Sequence, residues 1–445
     1  MSNFNELFIN LCINGDLYYA KLLYNAHNNL DISIKNHHCF RMVCSNGHLN
    51  VVKWLINDII KNNLTMFAYK EAFKLACSNG HLNIAQYLNE FTSLIQLNRF
   101  ETYEESFKLA CSNGHLNILQ WLIKINSSSD NISFDNMSFD NMSFDNILNY
   151  DEAFRISCAN GHLNIAKWLI QINLNINVSA NNNEAFRISC ANGHLEVAEW
   201  LIQINSNIIN VPVNNYGAFR MSCANGHLEV AKWLIQINSK INVLAENNEV
   251  FRMSCANGHL EVVKWLCEYD VYETMIIHVS HIFYNHMLKP ACENHHFEIV
   301  KYLLVKFKVA QSNDNLSNLN DIFNVMCSNG NLIISKLLYD NFPDINISTS
   351  DEYAFRYACF NGYLKTAQWL YELKPNINIS ADNEFAFRYA CSSGNLNIAQ
   401  WLYKLKPNIN ISADNEFAFI SATKNNHLNV VKWLIQISNP MIKID

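Results

Sequence analysis

The chain alternates between short apolar stretches with helical spacing and short polar breaks, and it does so with a fixed period. Residues 151–178 show one unit clearly. Asp151 is placed to cap a helix that begins near Glu152 and Ala153. Phe154, Ser157 and Cys158 follow at spacings of three and four, so they share one face of that helix. Asn160-Gly161 interrupts it, and Gly161 suits the left-handed conformation that commonly closes a helix. A second helix is predicted from Leu163 to about Gln171. Its polar residues Asn164, Lys167 and Gln171 form one narrow stripe, and the rest of its surface is apolar. A helix apolar over most of its circumference lies between neighbours. The segment from Asn173 to Glu184 is rich in Asn, with a short Ile/Val alternation at Ile176-Asn177-Val178, and reads as an extended or hairpin-like loop to the next unit.

The block Cys-Ala-Asn-Gly-His-Leu marks the register. It is cleanest at Cys158–Leu163, Cys190–Leu195, Cys223–Leu228 and Cys255–Leu260, and related blocks raise the count to about thirteen units of about 33 residues. Such a period means a stack of small units rather than one globular core. One continuous array is expected over residues 1–445, with a degenerate capping unit at 1–35 and another at 417–445. The step from Cys111 to Cys158 is 47 residues, and its excess, residues 125–150, holds a five-residue reiteration beginning Ser133-Phe134-Asp135-Asn136-Met137. That segment is expected to be an exposed low-complexity loop. Residues 268–310 make an irregular unit, in which His295 replaces the turn glycine and distortion is expected.

Composition narrows the function classes. The net charge of −7 comes with no basic stripe for nucleic acid. No apolar run reaches the roughly 18 residues needed to span a membrane, and the N-terminus lacks a secretory pattern. The expected location is therefore intracellular and cytoplasmic. Twelve of the 14 cysteines occupy the same column of the repeat, and only Cys39 and Cys267 lie off it. Cysteine used once per unit is a small buried hydrophobe in a reducing compartment. The abundance of Asn reads mostly as compositional bias.

Helix, tight turn, helix and loop at this period resemble the ankyrin repeat. Gly161-His162-Leu163 and Ile165-Ala166-Lys167-Trp168-Leu169 carry the resemblance, and Asn177-Val178 is similar to the end of the family's loop. The start of the first helix departs from the family: Glu152-Ala153-Phe154-Arg155 stands where the family has Thr-Pro-Leu-His. The Asn-rich style resembles ankyrin arrays of giant DNA viruses and some amoebae, and with a viral source the expected location is the host-cell cytoplasm. The resemblance implies an all-α ankyrin-repeat solenoid with short hairpin-like loops, and non-catalytic protein binding along its concave surface.

Three periodic features invite chemistry, and each has a structural reading. All nine tryptophans, from Trp54 to Trp433, fall in one column of the second helix, which spacing places in the core between repeats. Cys-x3-His recurs, as in Cys158 and His162, but each unit supplies one of each ligand type where zinc needs about four converging. No metal and no cofactor are expected. The histidines instead are expected to bond the turn backbone and pack on the adjacent unit. The arginine column (Arg41, Arg155, Arg187, Arg220, Arg252, Arg356, Arg388) is expected to bond backbone or side chains of an adjacent unit. No phosphate loop or nucleophile elbow is present.

Specific activity is therefore expected where the copies differ. The candidate partner-binding residues are Asn181, Asn182, Pro212, Tyr216, Glu246, Tyr353 and Phe385. The expected partner is a protein, with neither nucleic acid nor membrane involved, and the chain is expected to be a monomer. Two alternatives stand beside this: a substrate-recruiting adaptor for a ubiquitin ligase through a separate subunit, and a ligand or enzymatic site in the irregular region 269–284, helped by His278, His281 and His286.

Overall fold

In the computed structural model, the described residues are 3–27, 30, 33–60, 65–90, 99–127, 149–210, 212–243, 245–268, 283–306 and 313–438. Among them there is no strand, and thirteen helix pairs follow one another along the chain. Tyr150–Ala159 with Leu163–Ile172, and Ala180–Ala191 with Leu195–Ile204, represent the pattern. The chain divides into two compact bodies, Met1–Ser222 with Glu229–Ile241, and Cys223–Leu228 with Asn242–Asp445. Both are built from the same pair. The low-complexity reiteration at 128–148 and the segment 269–282 lie outside the described residues.

The core is one layer thick and repeats with the unit. Phe154, Cys158, Ile165, Ala166 and Leu169 are fully buried, as are their counterparts Phe186, Cys190, Val197, Ala198 and Leu201. The polar stripe Asn164, Lys167 and Gln171 is exposed, as its spacing requires. The tryptophans differ from expectation. Trp54 is buried at 8% exposure, but Trp200, Trp233, Trp401 and Trp433 are only half-buried. Each lays its ring against a first-helix phenylalanine of the preceding unit, as Trp200 does on Phe154 at 6.2 Å between centroids and Trp401 on Phe355 at 6.1 Å. The second helix has two rows between the wet stripe and the core, and the indole occupies the outer one.

The recurring block joins units by hydrogen bonds. At the end of the first helix, Gly161 N–H donates to Cys158 O at 3.2 Å and His162 N–H to Ser157 O at 2.9 Å, a Schellman closure. It leaves the Ala159 carbonyl with no partner in its own unit. The next unit supplies two: Asn192 Nδ2 donates to Ala159 O at 2.7 Å, and the His194 ring bonds the same oxygen. Ser189 Oγ donates to Cys158 O at 3.0 Å. The second body repeats the scheme with Ser254 on Cys223 O and Asn257 and His259 on Ala224 O. His81, His162, His194, His259 and His296 thus bond the preceding unit. Each ring also covers that unit's glycine: a β-carbon on Gly161 (φ 79°) would lie 2.5 Å from His194 Nδ1. The glycine serves both the left-handed turn and the close approach of the ring.

The irregular unit tests this arrangement. His295 holds the glycine position at φ 63°, and its β-carbon leaves no bare face for a ring. The next unit carries Asn331 in the histidine column, and Asn331 Nδ2 meets His295 Nδ1 at 2.7 Å. The expected distortion is also visible upstream, where Phe283–Leu288 winds as a π-helix before Lys289–Glu293.

The connections, expected as short hairpin-like loops, are built from turns. Asn173 Oδ1 accepts from Asn175 N and Asn177 Oδ1 from Ser179 N, and Asn378 and Asn410 act likewise. These are Asx turns, so the asparagines of the connections have a structural task that composition alone concealed. Asp151 is not the cap of its helix either. Asn149 accepts from Glu152 N at 2.9 Å, and Asp151 Oδ1 receives Asn177 N–H from the following connection.

Two outcomes are expected. Gly161→Ala should lose about 2–4 kcal/mol through a strained left-handed residue and a clash with His194, whereas Gly217→Ala, helical and with its nearest contact at 4.0 Å, should be neutral or gain up to about 1 kcal/mol. Urea denaturation of both variants checks the contrast. Burial, and then the neighbouring His162 or His296, holds the His194 and His259 rings below the usual imidazole value of 6.5. A lowered folded value means that the unfolded chain binds more protons, so this contribution is present above about pH 7 and is lost as pH falls through 6.5. A urea midpoint unchanged between pH 7.5 and 5.5 would contradict this.

Candidate functional site

The start of the first helix carries the features that the family resemblance left open. In five units, three consecutive residues adopt left-handed helical angles: Lys35–His37, Asn181–Asn183, Ser350–Glu352, Asp382–Glu384 and Asp414–Glu416. Each turn closes on a serine carbonyl, as Glu384 N–H does on Ser380 O at 3.1 Å and Glu416 N–H on Ser412 O at 3.1 Å. Left-handed turns cost roughly 1–2 kcal/mol per residue, least for Asn and Asp, which fill most of these positions.

The arginine column clamps the turns. Arg187 Nε donates to Asn182 O at 3.1 Å and Nη2 to Asn181 O at 3.2 Å. Arg41, Arg356 and Arg388 fork in the same way onto the carbonyls five and six residues before them. The backbone partner is therefore in the arginine's own unit, which corrects the expectation of an adjacent one. The adjacent unit enters through side chains: Arg356 pairs with Asp382 and Arg388 with Asp414. In the last unit Ile420 replaces the arginine and the turn persists.

What lies under each cation differs between units. The residue two before the buried phenylalanine is Glu105, Glu152 and Glu184 in successive units of the first body. These accept ion pairs from the preceding unit: Lys74–Glu105 at 2.9 Å, Lys108–Glu152 at 2.8 Å and Arg155–Glu184 at 3.1 Å. In the second body the units of Phe251 and Phe323 keep Glu249 and Asp321 in the same column, whereas three later consecutive units hold Tyr353, Phe385 and Phe417. There the cations stack on rings, Arg356 over Phe385 at 4.8 Å and Arg388 over Phe417 at 5.3 Å. One turn further along each helix, Tyr357 and Tyr389 stand where the first body has Ile156 and Ile188, and Phe360 stands in the column of Ala159.

These rings form one continuous array across three first helices. Tyr353 stacks on Tyr357 at 4.2 Å, Tyr357 meets Phe385 at 5.2 Å, Phe385 stacks on Tyr389 at 4.2 Å, and Tyr389 meets Phe417 at 5.0 Å. Phe360 joins through Phe385 and Tyr389. All but Phe385 are half-buried, so each keeps part of its ring at the surface.

The structure therefore brings Tyr353 and Phe385 together, but Phe385, at 8% exposure, is the floor of the array rather than contact area. Asn181 and Asn182 are exposed on a left-handed turn in the other body, with Asn181 Nδ2 donating to Glu184 at 2.8 Å. Pro212 opens the helix Pro212–Ala224, and Glu246 lies within Ala245–Ala256, but their side chains are outside the described residues. Tyr216 is half-buried. His278 and His281 are outside the described residues, and His286 lies on the π-helical segment. Tyr357, Phe360, Tyr389 and Phe417 were not singled out from sequence. Aligning first-helix columns across units would have exposed them as aromatic replacements of Glu, Ile and Ala.

The repeated cysteines offer no nucleophile. All 14 are buried, and burial pushes the Cys77, Cys111, Cys327 and Cys391 thiols up to about 12. Among the described residues no group of three or more His, Cys, Asp or Glu gathers as for a metal, and no helix is long and apolar enough to cross a membrane.

Comparison with known proteins agrees with this architecture. Family profiles for ankyrin repeats match residues 40–135, 107–215, 288–383 and 355–444, and a second ankyrin-repeat profile matches 220–267. The chain belongs to the ankyrin repeat family, whose repeats form protein–protein interaction domains and are generally non-enzymatic. It is similar to an ankyrin repeat protein of Acanthamoeba polyphaga mimivirus, 31% identical over 89 residues, which is 20% of this chain and 82% of that protein.

Removing the Arg388 fork should leave two turn carbonyls and Asp414 without their cation. Arg388→Ala is expected to lose about 2–3 kcal/mol, and Arg388→Lys to restore less than half of it, because an ammonium cannot span both carbonyls. Equal stability of the Lys variant and the parent in urea would remove the fork from the account.

Proposed function

We propose that this chain is a non-catalytic interaction scaffold. It binds a protein partner along the surface made by the first helices and their preceding turns, the side expected to be concave in an ankyrin array. The observation that carries this reading is where the repeats diverge. The core columns and the Asn and Gly of the turns stay nearly constant, while the half-buried first-helix columns change from Glu and Ile to Tyr and Phe between units. Surface that varies on a constant scaffold is where specificity is built.

A photo-crosslinking residue placed at Asn182 or Tyr353 should capture partner from cell lysate. The same residue at Lys167 or Gln171, on the second-helix stripe, should not. Capture from the second-helix positions alone would overturn the assignment of the binding face.

A further inference from the structure

The ring array of the second body has features that narrow the class of partner, given that the scaffold reading holds. The first is charge. The turns beside the array carry Asp351, Asp382, Asp414 and Glu416, all exposed. Most cations of the same stripe are already engaged; the exception is Lys424, exposed in the column of Phe360. Arg356 and Arg388 are buried, each held by two carbonyls and one aspartate. Lys374 and Lys406 pair with the buried Glu352 and Glu384. Asp351 and Glu416 have no cationic partner among the described residues. The open rim is therefore acidic.

The second feature is the rings themselves. Cations already sit on this array, with Arg356 over Phe385 and Arg388 over both Tyr389 and Phe417. Tyr353, Tyr357, Phe360, Tyr389 and Phe417 still leave part of each ring at the surface. An aromatic face attracts a cation by its quadrupole, and an acidic rim adds a longer-range pull. In the first-body units of Glu152 and Glu184 the ring columns hold Glu and Ile, so the aromatic floor is missing there.

We propose that the stripe Tyr353–Phe417 is a docking site for a basic segment of a protein partner, with Arg or Lys side chains laid on the exposed rings and paired with Asp351 and Glu416. Aromatic floor and acidic rim act together, so both should matter to affinity.

The test uses the full chain and a fluorescein-labelled peptide of four Arg-Ser repeats, read by anisotropy at low salt, with four Glu-Ser repeats as control. The basic peptide should bind and the acidic one should not. Tyr357→Leu with Tyr389→Leu, which keeps apolar volume but removes the rings, should weaken binding on the order of tenfold. Asp351→Asn with Glu416→Gln, on exposed side chains that leave the fold intact, should weaken it about threefold. Glu196→Gln with Glu298→Gln, an equal charge loss on exposed second-helix positions, should change it less than twofold. The proposal is overturned if the basic peptide does not bind, if the acidic peptide binds as well, or if the three double variants weaken binding alike. Crosslinks from Tyr353 without basic-peptide binding would sink this inference and leave the scaffold reading standing. Peptide binding lost in the ring variant, with partner crosslinks only from the second helices, would do the reverse.

Discussion

A single backbone carbonyl organises this protein. When the first helix of a unit ends in a Schellman turn, the carbonyls of Ser157 and Cys158 find donors in the turn, and that of Ala159 does not. That carbonyl lies open at the edge of its unit, and the unit stacked on it supplies the donors. Asn192 and His194 complete it, and the ring of His194 can reach only because Gly161 has no side chain. The three residue types that define the repeated block are therefore two halves of one joint, contributed by different copies. Serine adds a second strand to the tie through the cysteine carbonyl.

Much of the fold could be read from sequence because helical spacing and a left-handed glycine are local properties. Phe154, Cys158, Gly161 and the wet stripe of Lys167 behave as their neighbours in sequence dictate. What escaped is relational. No single copy shows that the histidine belongs to the glycine of the unit before it. Nor does one copy show that Arg187 turns back onto Asn181 and Asn182, since three consecutive left-handed residues are rare enough to have no sequence expectation. The half-buried tryptophans escaped for a different reason: helical phase separates wet from dry, but not the outer apolar row from the inner one. The candidate contact residues were only partly legible. Tyr353 and Phe385 fall in one array, but their burial depends on the stacking of three helices, which no single-unit reading contains.

The columns beside the arginine show how one joint can carry two chemistries. A cation from one unit reaches the next in both bodies. At Glu152 and Glu184 in the first it finds a carboxylate, and in the last units of the second a ring together with a carboxylate. An exposed ion pair contributes little and is screened by salt, whereas a cation on a ring keeps its attraction as water leaves. Changing one residue per unit therefore alters what the surface presents without disturbing the core beneath it.

His295 and Asn331 carry a lesson about how such an array can change over time. A side chain entered the glycine position of one copy, and the ring that would have covered it is absent from the next. The natural unit of inheritance is then the seam between two copies rather than the copy. Duplicating or deleting a stretch that begins and ends at matching seams leaves every joint whole. A cut between Asn294 and Asn331 would pair a ring with an occupied position. Lengthening or shortening by whole seams therefore disturbs least among the copies joined by glycine and histidine, and most where His295 meets Asn331.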